Sequence, residues 1–391
     1  MRVFDDVFLR LEDWKEGKKQ RMKCDVSVVV PLYNTRDFVK FTVDSILNQT
    51  LANIEVLIVD DCSADGSLEY CRELYGHDSR VKILPQPKNI GPGAARNRGI
   101  RESQGEYIAF IDSDDEILPD MLSKMFSVAK KYNADVVQDT KYFLPSLNKE
   151  GNFPLQMLDD DVMLLPTSSN ANGEDYSELT RLSDDLDSRF EDWKKRLIPW
   201  SVFTKIFRRA FLTDNEIFFS EVNIFAEDML FCFECLFKAK NYVMVPEANC
   251  VYRITPTSAS RGKAYSAKIL KALRSQREAV RNMTRICSGI PFFANDPRKA
   301  VSALEIVVND LELGFIRPAY QILGEETLRS DKLFHDFMRE EFGDKAPYVE
   351  FLFFELHNHY EPIVDYVGML GDIEYWRSLV KEYREKQEGK K

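Results

Sequence analysis

The chain has 391 residues, 44% of them hydrophobic and 30% charged, a length and balance that indicate a soluble globular protein of two or three domains. The net charge of −11 argues against a general nucleic-acid binder, because such proteins neutralise phosphates with lysine and arginine. No apolar stretch reaches the roughly 20 residues that a membrane-spanning helix needs. Seven irregularly spaced cysteines favour reduced thiols in a cytoplasm over a disulfide framework.

Residues 1–23 predict an amphipathic helix, because five apolar side chains recur at helical spacing: Phe4, Val7, Phe8, Leu11 and Trp14. We expect this helix to dock on the main body or on another subunit. Its basic end leaves contact with a membrane surface as the alternative. The segment lacks the layout of a secretion signal, so we expect a cytoplasmic protein.

Residues 24–262 alternate between strand and helix patterns. The predicted strands are 25–30, 54–61, 81–84 and 107–111, and predicted helices follow each of them. Pro31 is expected to stop the first strand because it cannot donate to a ladder. Ser63 is expected to cap the second helix. This alternation predicts an α/β fold with a parallel or mixed sheet covered on both faces.

Two other regions depart from this pattern. Residues 145–190 are polar, acidic and rich in turn residues, so we interpret them as a surface insertion, with a lid or acceptor-binding loop as the alternative. Residues 263–391 lose the strand pattern and predict an all-helical carboxyl-terminal domain. Its expected helices are 267–286, 298–313, 326–341, 349–369 and 373–387.

Three acidic motifs carry the chemical signal: Asp60-Asp61 after the second strand, Asp112-Ser113-Asp114 after the fourth, and Glu227-Asp228 leading into a helix. Carboxylates just past the carboxyl ends of strands line the crevice where open α/β sheets bind ligands. Bare carboxylates would repel phosphates, so the implied ligand is a nucleotide diphosphate held through a divalent cation.

Each acidic motif has a functional and a simpler interpretation. Asp61 can accept the N–H of a uracil beside Tyr33, or it can be an ordinary turn residue. Asp112 and Asp114 point the same way in an extended segment, so one can bind ribose and the other Mg²⁺ or Mn²⁺; exposed loop acids are the alternative. Asp228 can be a general base, although a helix dipole also favours acids at that position.

Two further segments place cations near the expected phosphates. The first, 89–99, combines glycines with Arg96 and Arg98, which can face phosphate or base oxygens. Its spacing matches neither a dinucleotide fingerprint nor a P-loop, and helix capping is the alternative explanation of its glycines. The second segment, 252–261, offers Arg253 and Ser258.

The order and spacing of these five elements resemble the inverting family 2 glycosyltransferases with the GT-A fold. The resemblance covers residues 24–261 and rests on these motifs: Val-Ser-Val-Val-Val-Pro-Leu-Tyr-Asn34, Ile-Val-Asp-Asp61-Cys-Ser-Ala-Asp-Gly-Ser67, Asn-Ile-Gly-Pro-Gly-Ala-Ala-Arg-Asn97, Phe-Ile-Asp-Ser-Asp-Asp115 and Glu-Asp228. Cys62 stands where many relatives carry glycine, a departure that we expect to leave the chemistry unaffected.

The resemblance implies a role for each matched residue. Asp61 would bind the nucleobase, Asp112 the ribose and Asp114 the metal. Asp228, with Glu227 beside it, would be the general base of the reaction. It also implies that Trp200 and Lys205 line the acceptor side, and that Arg253 and Ser258 close over the diphosphate. The predicted nucleotide-binding set is Pro31, Tyr33, Asp61, Asn89, Arg96, Asp112, Ser113, Arg253 and Ser258.

We therefore expect a metal-dependent inverting glycosyltransferase that uses Mn²⁺ or Mg²⁺ and a UDP-sugar donor. By resemblance, its acceptor would be a glycan or lipid-linked glycan at the inner face of the plasma membrane. The sequence offers a candidate general base but no candidate for the enzyme nucleophile that a retaining mechanism needs. This favours a single displacement at the anomeric carbon, with inversion. A sugar nucleotidyltransferase is the first alternative, although 31–35 is not the glycine-rich basic loop it needs. A non-enzymatic nucleotide- or sugar-binding scaffold is the second, and a homodimer is left open.

Two motifs are interpreted as structural rather than metal-binding. Cys232 and Cys235 lie in an apolar helical pattern with no second cysteine pair, which is typical of core packing. His357 and His359 are two residues apart on a predicted helix and would diverge, so surface or internally satisfied histidines are favoured.

Overall fold

The computed structural model describes residues 24–145, 162–166, 178–222, 225, 227–253 and 265–359. The predicted helices at 1–23 and 373–387, and Ser258, lie outside the described residues. Ten strands in the described part of the chain form one mixed sheet: β1 Cys24–Leu32, β2 Ile54–Asp60, β3 Val81–Pro85, β4 Gly105–Phe110, β5 Glu116–Ile117, β6 Val136–Pro145, β7 Val162–Pro166, β8 Thr180–Arg181, β9 Lys205–Arg208 and β10 Tyr242–Val251.

The strand order is β3-β2-β1-β4-β9-β6-β10-β5, with β7 paired to β6 and β8 paired to β10. Strands β1 to β4 run parallel, whereas β9 is antiparallel to both β4 and β6. The α/β fold with a mixed sheet that the sequence predicts is therefore confirmed.

The sheet carries helices on both faces. The first seven helices are α1 Val39–Leu47, α2 Ser67–Tyr75, α3 Pro92–Glu102, α4 Met121–Tyr132, α5 Leu186–Lys194, α6 Arg209–Asp214 and α7 Glu227–Lys238. The carboxyl-terminal helices are α8 Tyr265–Gly289, α9 Pro291–Ala294, α10 Pro297–Leu311, α11 Arg317–Leu323, α12 Glu325–Arg329, α13 Lys332–Phe342 and α14 Ala346–His359. A π-helical turn at Glu312–Ile316 joins α10 to α11.

Strand β1 is buried on both faces, as a near-continuous run of valines indicates for a central parallel strand. Its side chains alternate between two hydrophobic clusters. Val28 and Val30 pack in the cluster beneath α1, α2 and α4. Val29 joins the opposite cluster, which extends through α7 to Leu304 and Phe353 of the carboxyl-terminal helices. The predicted helical region therefore packs directly on this face of the sheet.

Three local expectations were wrong. Strand β1 continues past Pro31, which pairs with Val59 of β2. The pairing of β1 with β4 ends at Val29, so a proline, which has no N–H, interrupts no hydrogen bond to β4. Helix α2 begins at Ser67 after Gly66, whereas Ser63 accepts a hydrogen bond elsewhere. Part of the expected insertion at 145–190 belongs to the sheet, because β7 and β8 lie within it.

Candidate active site

The loops after β1, β2 and β4 meet at one edge of the sheet, because the carboxyl ends of parallel strands lie together. Side-chain hydrogen bonds join them. Thr35 Oγ1 donates to Ser113 Oγ at 2.8 Å, and the backbone N–H of Asn34 donates to Ser63 Oγ at 3.0 Å. The structure thus brings the loops that carry two of the three predicted acidic motifs to the same edge of the sheet.

Asp61 is buried and anchors the loop that precedes α3. Its carboxylate accepts hydrogen bonds from the backbone N–H groups of Ile90 at 2.9 Å and Gly91 at 2.7 Å, and from Gln86 at 2.8 Å. Burial raises the pKa of Asp61, against the lowering effect of these donors. The observed contacts are structural, and recognition of a base by Asp61 stays a prediction.

Arg96 lies in a different place from the one we expected. It is 4% exposed, donating from Nη1 to Glu227 at 2.6 Å and from Nη2 to Asp112 at 2.7 Å. Its guanidinium carbon also lies 5.3 Å from the centre of the Phe219 ring. The guanidinium therefore bridges two acidic motifs and does not face open space for phosphate. Arg98, which shared that expectation, donates to the carbonyl of Pro85.

The three carboxylates of the loop Asp112–Asp115 differ in their exposure to solvent. Asp112 and Asp114 are partly exposed, whereas Asp115 is 1% exposed. Asp115 accepts the backbone N–H of Arg253 at 2.8 Å, and its second oxygen has no hydrogen-bond partner within the described stretches. Burial, followed by the nearby Asp114 and Asp112, raises its pKa well above the ordinary value.

Glu227 and Asp228 begin α7, where the helix dipole favours negative charge. Glu227 is buried against Arg96, whereas Asp228 is partly exposed. Burial is the largest cause that raises the pKa of Asp228 to about 7. Glu227 and Asp112 raise it further, and Arg96 opposes them. A carboxylate that titrates near neutrality is suited to take a proton and release it again.

Arg253 also differs from its expected position over a diphosphate. It is 3% exposed, donates from Nε to the carbonyl of Asp114 at 3.0 Å and pairs with Glu116. Its guanidinium carbon lies 5.6 Å from the ring centres of Phe38 and Phe41. In this structure Arg253 stabilises the loop Asp112–Asp115 through its contacts with Asp114 and Asp115.

The remaining predicted positions divide between surface and core. Tyr33 is 49% exposed and Asn89 is exposed, so both side chains are accessible at the loops after β1 and before α3. Trp200 is partly buried. Lys205 is wholly buried and donates to the carbonyl of Pro199 at 2.9 Å, so it does not line an open acceptor surface.

Sequence reasoning assigned no specific contact to three residues that shape this site. Asn97 donates to the carbonyl of Phe219 at 2.9 Å and accepts its N–H at 2.8 Å, which pins the segment before Glu227. A β-carbon built on Gly93 would meet the backbone of that segment. Asp115 holds Arg253. All three stand inside the quoted motifs, so the motifs identified the region but not its contacts.

The motifs interpreted as structural keep that interpretation. Cys232 and Cys235 are free, buried thiols in the core. The His357 side chain is buried: its Nδ1 lies 2.6 Å from the carbonyl oxygen of Phe353, and its Nε2 lies 2.8 Å from Glu312 Oε1. Across the residues that the structure describes, no group of three or more His, Cys, Asp or Glu side chains could hold a metal ion. None of the described helices is both long and apolar enough to span a bilayer.

Comparison with known sequences identifies relatives for the sheet region. Residues 27–207 match the model of glycosyl transferase family 2. The uncharacterized glycosyltransferase EpsJ of Bacillus subtilis (strain 168) is 29% identical over 233 residues, which cover 60% of this chain and 62% of that protein. The succinoglycan biosynthesis protein ExoO of Rhizobium meliloti (strain 1021) is 29% identical over 237 residues, covering 61% and 63%. This chain thus spans less than two thirds of either relative.

A solved structure extends the likeness to the carboxyl-terminal region. The crystal structure of S. aureus TarS 1-349 in complex with UDP-GlcNAc aligns with a TM-score of 0.57 and 20% identity. The alignment covers 93% of this chain and 92% of that one. At this identity the likeness shows the fold. On these matches, the chain carries a family 2 glycosyltransferase domain with the GT-A fold and a helical carboxyl-terminal region.

Proposed function

We propose that this chain transfers a sugar from a nucleotide sugar, most simply a UDP-sugar, to an acceptor hydroxyl with inversion at the anomeric carbon. The observation that carries the proposal is the cluster in which Arg96 joins Asp112 to Glu227, next to Asp228. This arrangement holds the carboxylate that we assign to the nucleotide close to the carboxylate that we assign as the base. The family 2 domain and the UDP-GlcNAc complex of TarS support the choice of donor.

The donor would occupy the edge formed by the loops after β1, β2 and β4. Tyr33 is exposed there and can pack against the base or ribose. Asp112 is partly exposed and can accept ribose hydroxyls with the oxygens that Arg96 leaves available. Asp61 fixes the loop of Ile90 and Gly91, which shapes the same edge.

A divalent cation is compatible with the carboxylates present. Mg²⁺ and Mn²⁺ prefer hard oxygen ligands and need only one or two protein carboxylates when phosphate oxygens complete the shell. Asp114 is partly exposed in the same loop as Asp112, so Asp114 would hold the ion together with the diphosphate. When bound, such an ion neutralises the charge that develops on the departing nucleotide.

Asp228 would act as the general base. It removes the proton from the acceptor hydroxyl, the resulting oxygen attacks the anomeric carbon, and the bond from that carbon to the diphosphate oxygen breaks. The electron pair of that bond leaves with the nucleoside diphosphate. Attack from the face opposite the leaving group inverts the anomeric centre, so an α-linked donor gives a β-linked product.

The acceptor would be a glycan or a lipid-linked glycan. Support for this class comes from the biosynthetic role in the name of ExoO. We propose that the reaction takes place in the cytoplasm, at the inner face of the plasma membrane where such precursors are built. The first 23 residues are the proposed contact with a membrane or a second copy of the chain.

A panel of nucleotide sugars tests the proposal, with release of the nucleotide diphosphate as the readout in the presence of Mn²⁺. The wild-type chain should hydrolyse or transfer one UDP-sugar, and Asp228→Asn should lose about 10²- to 10⁴-fold of that rate while still binding UDP. Asp184→Asn, on an exposed loop, is the matched control and should retain full activity.

The outcomes separate the alternatives. Retention of configuration in the product, seen by NMR coupling at the anomeric proton, would overturn the inverting mechanism. Pyrophosphate release from a nucleoside triphosphate and a sugar phosphate would identify a nucleotidyltransferase. Binding of UDP with no turnover of any donor would identify a scaffold.

A further inference from the structure

Arg96 contacts two of the acidic motifs at once, and neither motif predicts this contact from its own sequence. Its two terminal nitrogens reach carboxylates from opposite ends of the site, Asp112 after β4 and Glu227 at the start of α7. These partners are 16 and 131 residues away along the chain. We propose that Arg96 is a positioning residue that holds the nucleotide-side carboxylate and the base motif at a fixed separation. The kinetic part of this inference rests on the proposed function.

The geometry requires arginine in particular. A guanidinium presents its N–H donors in a rigid planar fork, so it can bond two carboxylates in fixed directions at once. The bonds of 2.6 and 2.7 Å use one nitrogen each, and the side chain is almost wholly buried. A lysine keeps the charge but concentrates it on one nitrogen at the end of a flexible stem, so it would hold the two carboxylates less rigidly.

The helix that carries Arg96 is itself locked against the segment before Glu227. Gly93, Arg96 and Asn97 lie at i, i+3 and i+4 on α3 and therefore share one face. Asn97 exchanges two hydrogen bonds with the backbone of Phe219, and the Phe219 ring stacks on Phe231 of α7 at 3.9 Å. The face of α3 is thus a rigid support from which Arg96 acts on both motifs.

Arg96 also sets the electrostatic environment of Asp228. The charged groups that act on this carboxyl are Glu227 from its own helix, Arg96 from α3 and Asp112 from the loop after β4. Lys205 of β9 and Cys232 of α7 also interact with Asp228. Arg96 supplies positive charge against two nearby acids, and it lowers the pKa of Asp228 that burial raises. Loss of that charge should therefore leave the base protonated at neutral pH.

Two variants of the full-length chain test the inference. Arg96→Gln removes the charge, and Arg96→Lys keeps the charge but loses the fork. Arg101→Gln is the matched control, because Arg101 lies on the same helix in an exposed pair with Glu221. The first readout is the titration of Asp228 by ¹³C NMR of carboxyl-labelled aspartate, assigned by the signal missing in Asp228→Asn. This measurement needs neither substrate nor turnover.

Arg96→Gln should raise the pKa of Asp228 by about 1 or more, because an opposite charge within a few ångströms typically lowers a carboxyl pKa by about 1–3. The rising limb of the pH–rate profile should move by the same amount, so the loss of kcat/KM should be about fivefold or more at pH 7 and should shrink by pH 9. Arg96→Lys should lower kcat about 10- to 100-fold with little change in the titration, since only the geometry is altered.

An unchanged Asp228 titration in folded Arg96→Gln, or wild-type kcat in Arg96→Lys, would overturn the positioning role. Should Arg96→Gln fail to fold, kcat of Arg96→Lys decides. A pKa shift in Arg96→Gln together with no turnover of any donor by the wild-type chain would reject the proposed function while the carboxylate arrangement stands.

Discussion

A β-carbon built on Gly93 would lie 2.2 Å from the backbone oxygen of Ser220, closer than real β-carbons approach other atoms. Helix α3 therefore rests directly on the segment that leads to Glu227. The obstructing atom belongs to the backbone, and Asn97 already fixes that backbone through Phe219. The only way to admit a methyl group is to move α3 away from the segment, and that movement would carry Arg96 with it.

Gly93→Ala should lower the free energy of unfolding by about 1–3 kcal/mol, the usual effect of overpacking a close contact. It should also reduce activity, because Arg96 shifts with its helix. Gly289→Ala is the control, since nothing lies within 4 Å of a β-carbon there and α8 ends at that residue. Urea unfolding and donor turnover measure both effects. Equal stability of the two variants would contradict the tight packing of α3.

The rate of transfer should depend on the ionisation of Asp228. Its pKa is raised to about 7, and the base must be deprotonated to act, so kcat/KM should rise with pH and level off above about 7. Below that value the rate should fall about tenfold for each pH unit. A pH–rate profile on a non-ionising acceptor measures this limb. A flat profile between pH 5 and 8 would exclude Asp228 as the base.

Asp114→Ala should weaken nucleotide binding only when a divalent cation is present. The substitution removes one of the oxygen ligands that we assign to the ion, so the Kd for UDP with Mn²⁺ should rise about tenfold or more, which corresponds to roughly 1.4 kcal/mol. Isothermal titration calorimetry with and without Mn²⁺ provides the comparison, with Glu73→Ala as an exposed acidic control. Equal weakening with and without the cation would reject the ligand role.

Asp139 is predicted to make stability depend on pH away from the active site. It is buried in β6, where it accepts a hydrogen bond from Asn249 at 2.9 Å, and burial raises its pKa to about 8. The folded state therefore keeps the proton between about pH 4 and 8, while the unfolded chain releases it. Ionisation favours the unfolded state across this window, so this residue makes stability fall as pH rises.

Asp139→Asn should remove that dependence. The neutral amide has a similar shape and can still accept from Asn249, so the variant should gain stability relative to wild type by up to about 1.4 kcal/mol per pH unit between pH 4 and 8. Urea unfolding at several pH values measures the difference. A constant difference across this range would show that Asp139 is ionised in the folded protein.

The amino-terminal half of the sheet was predictable because its strands are nearly pure apolar runs. Strand β2, for example, is buried along all seven residues, and the apolar content of its sequence, Ile-Glu-Val-Leu-Ile-Val-Asp, predicts this burial. Strand β6 escaped prediction because Gln138, Asp139 and Thr140 interrupt its apolar pattern. Those polar side chains are buried, and residues of β10 bond to two of them: Tyr242 donates to Gln138, and Asn249 donates to Asp139. A local sequence pattern cannot predict a hydrogen-bond partner that lies more than 100 residues away along the chain.

Periodicity and turn chemistry are local properties, so the amino-acid sequence was enough to predict the α/β class, the strands that end in acids and the region of the site. The contacts that those acids make could be seen only in the folded chain. The sequence predicted that Arg96 and Arg253 bind phosphate, yet both side chains are buried in ion pairs with carboxylates of the same chain. The physical reason is that charge pairing depends on distance in space, and a buried arginine needs partners that folding alone can deliver.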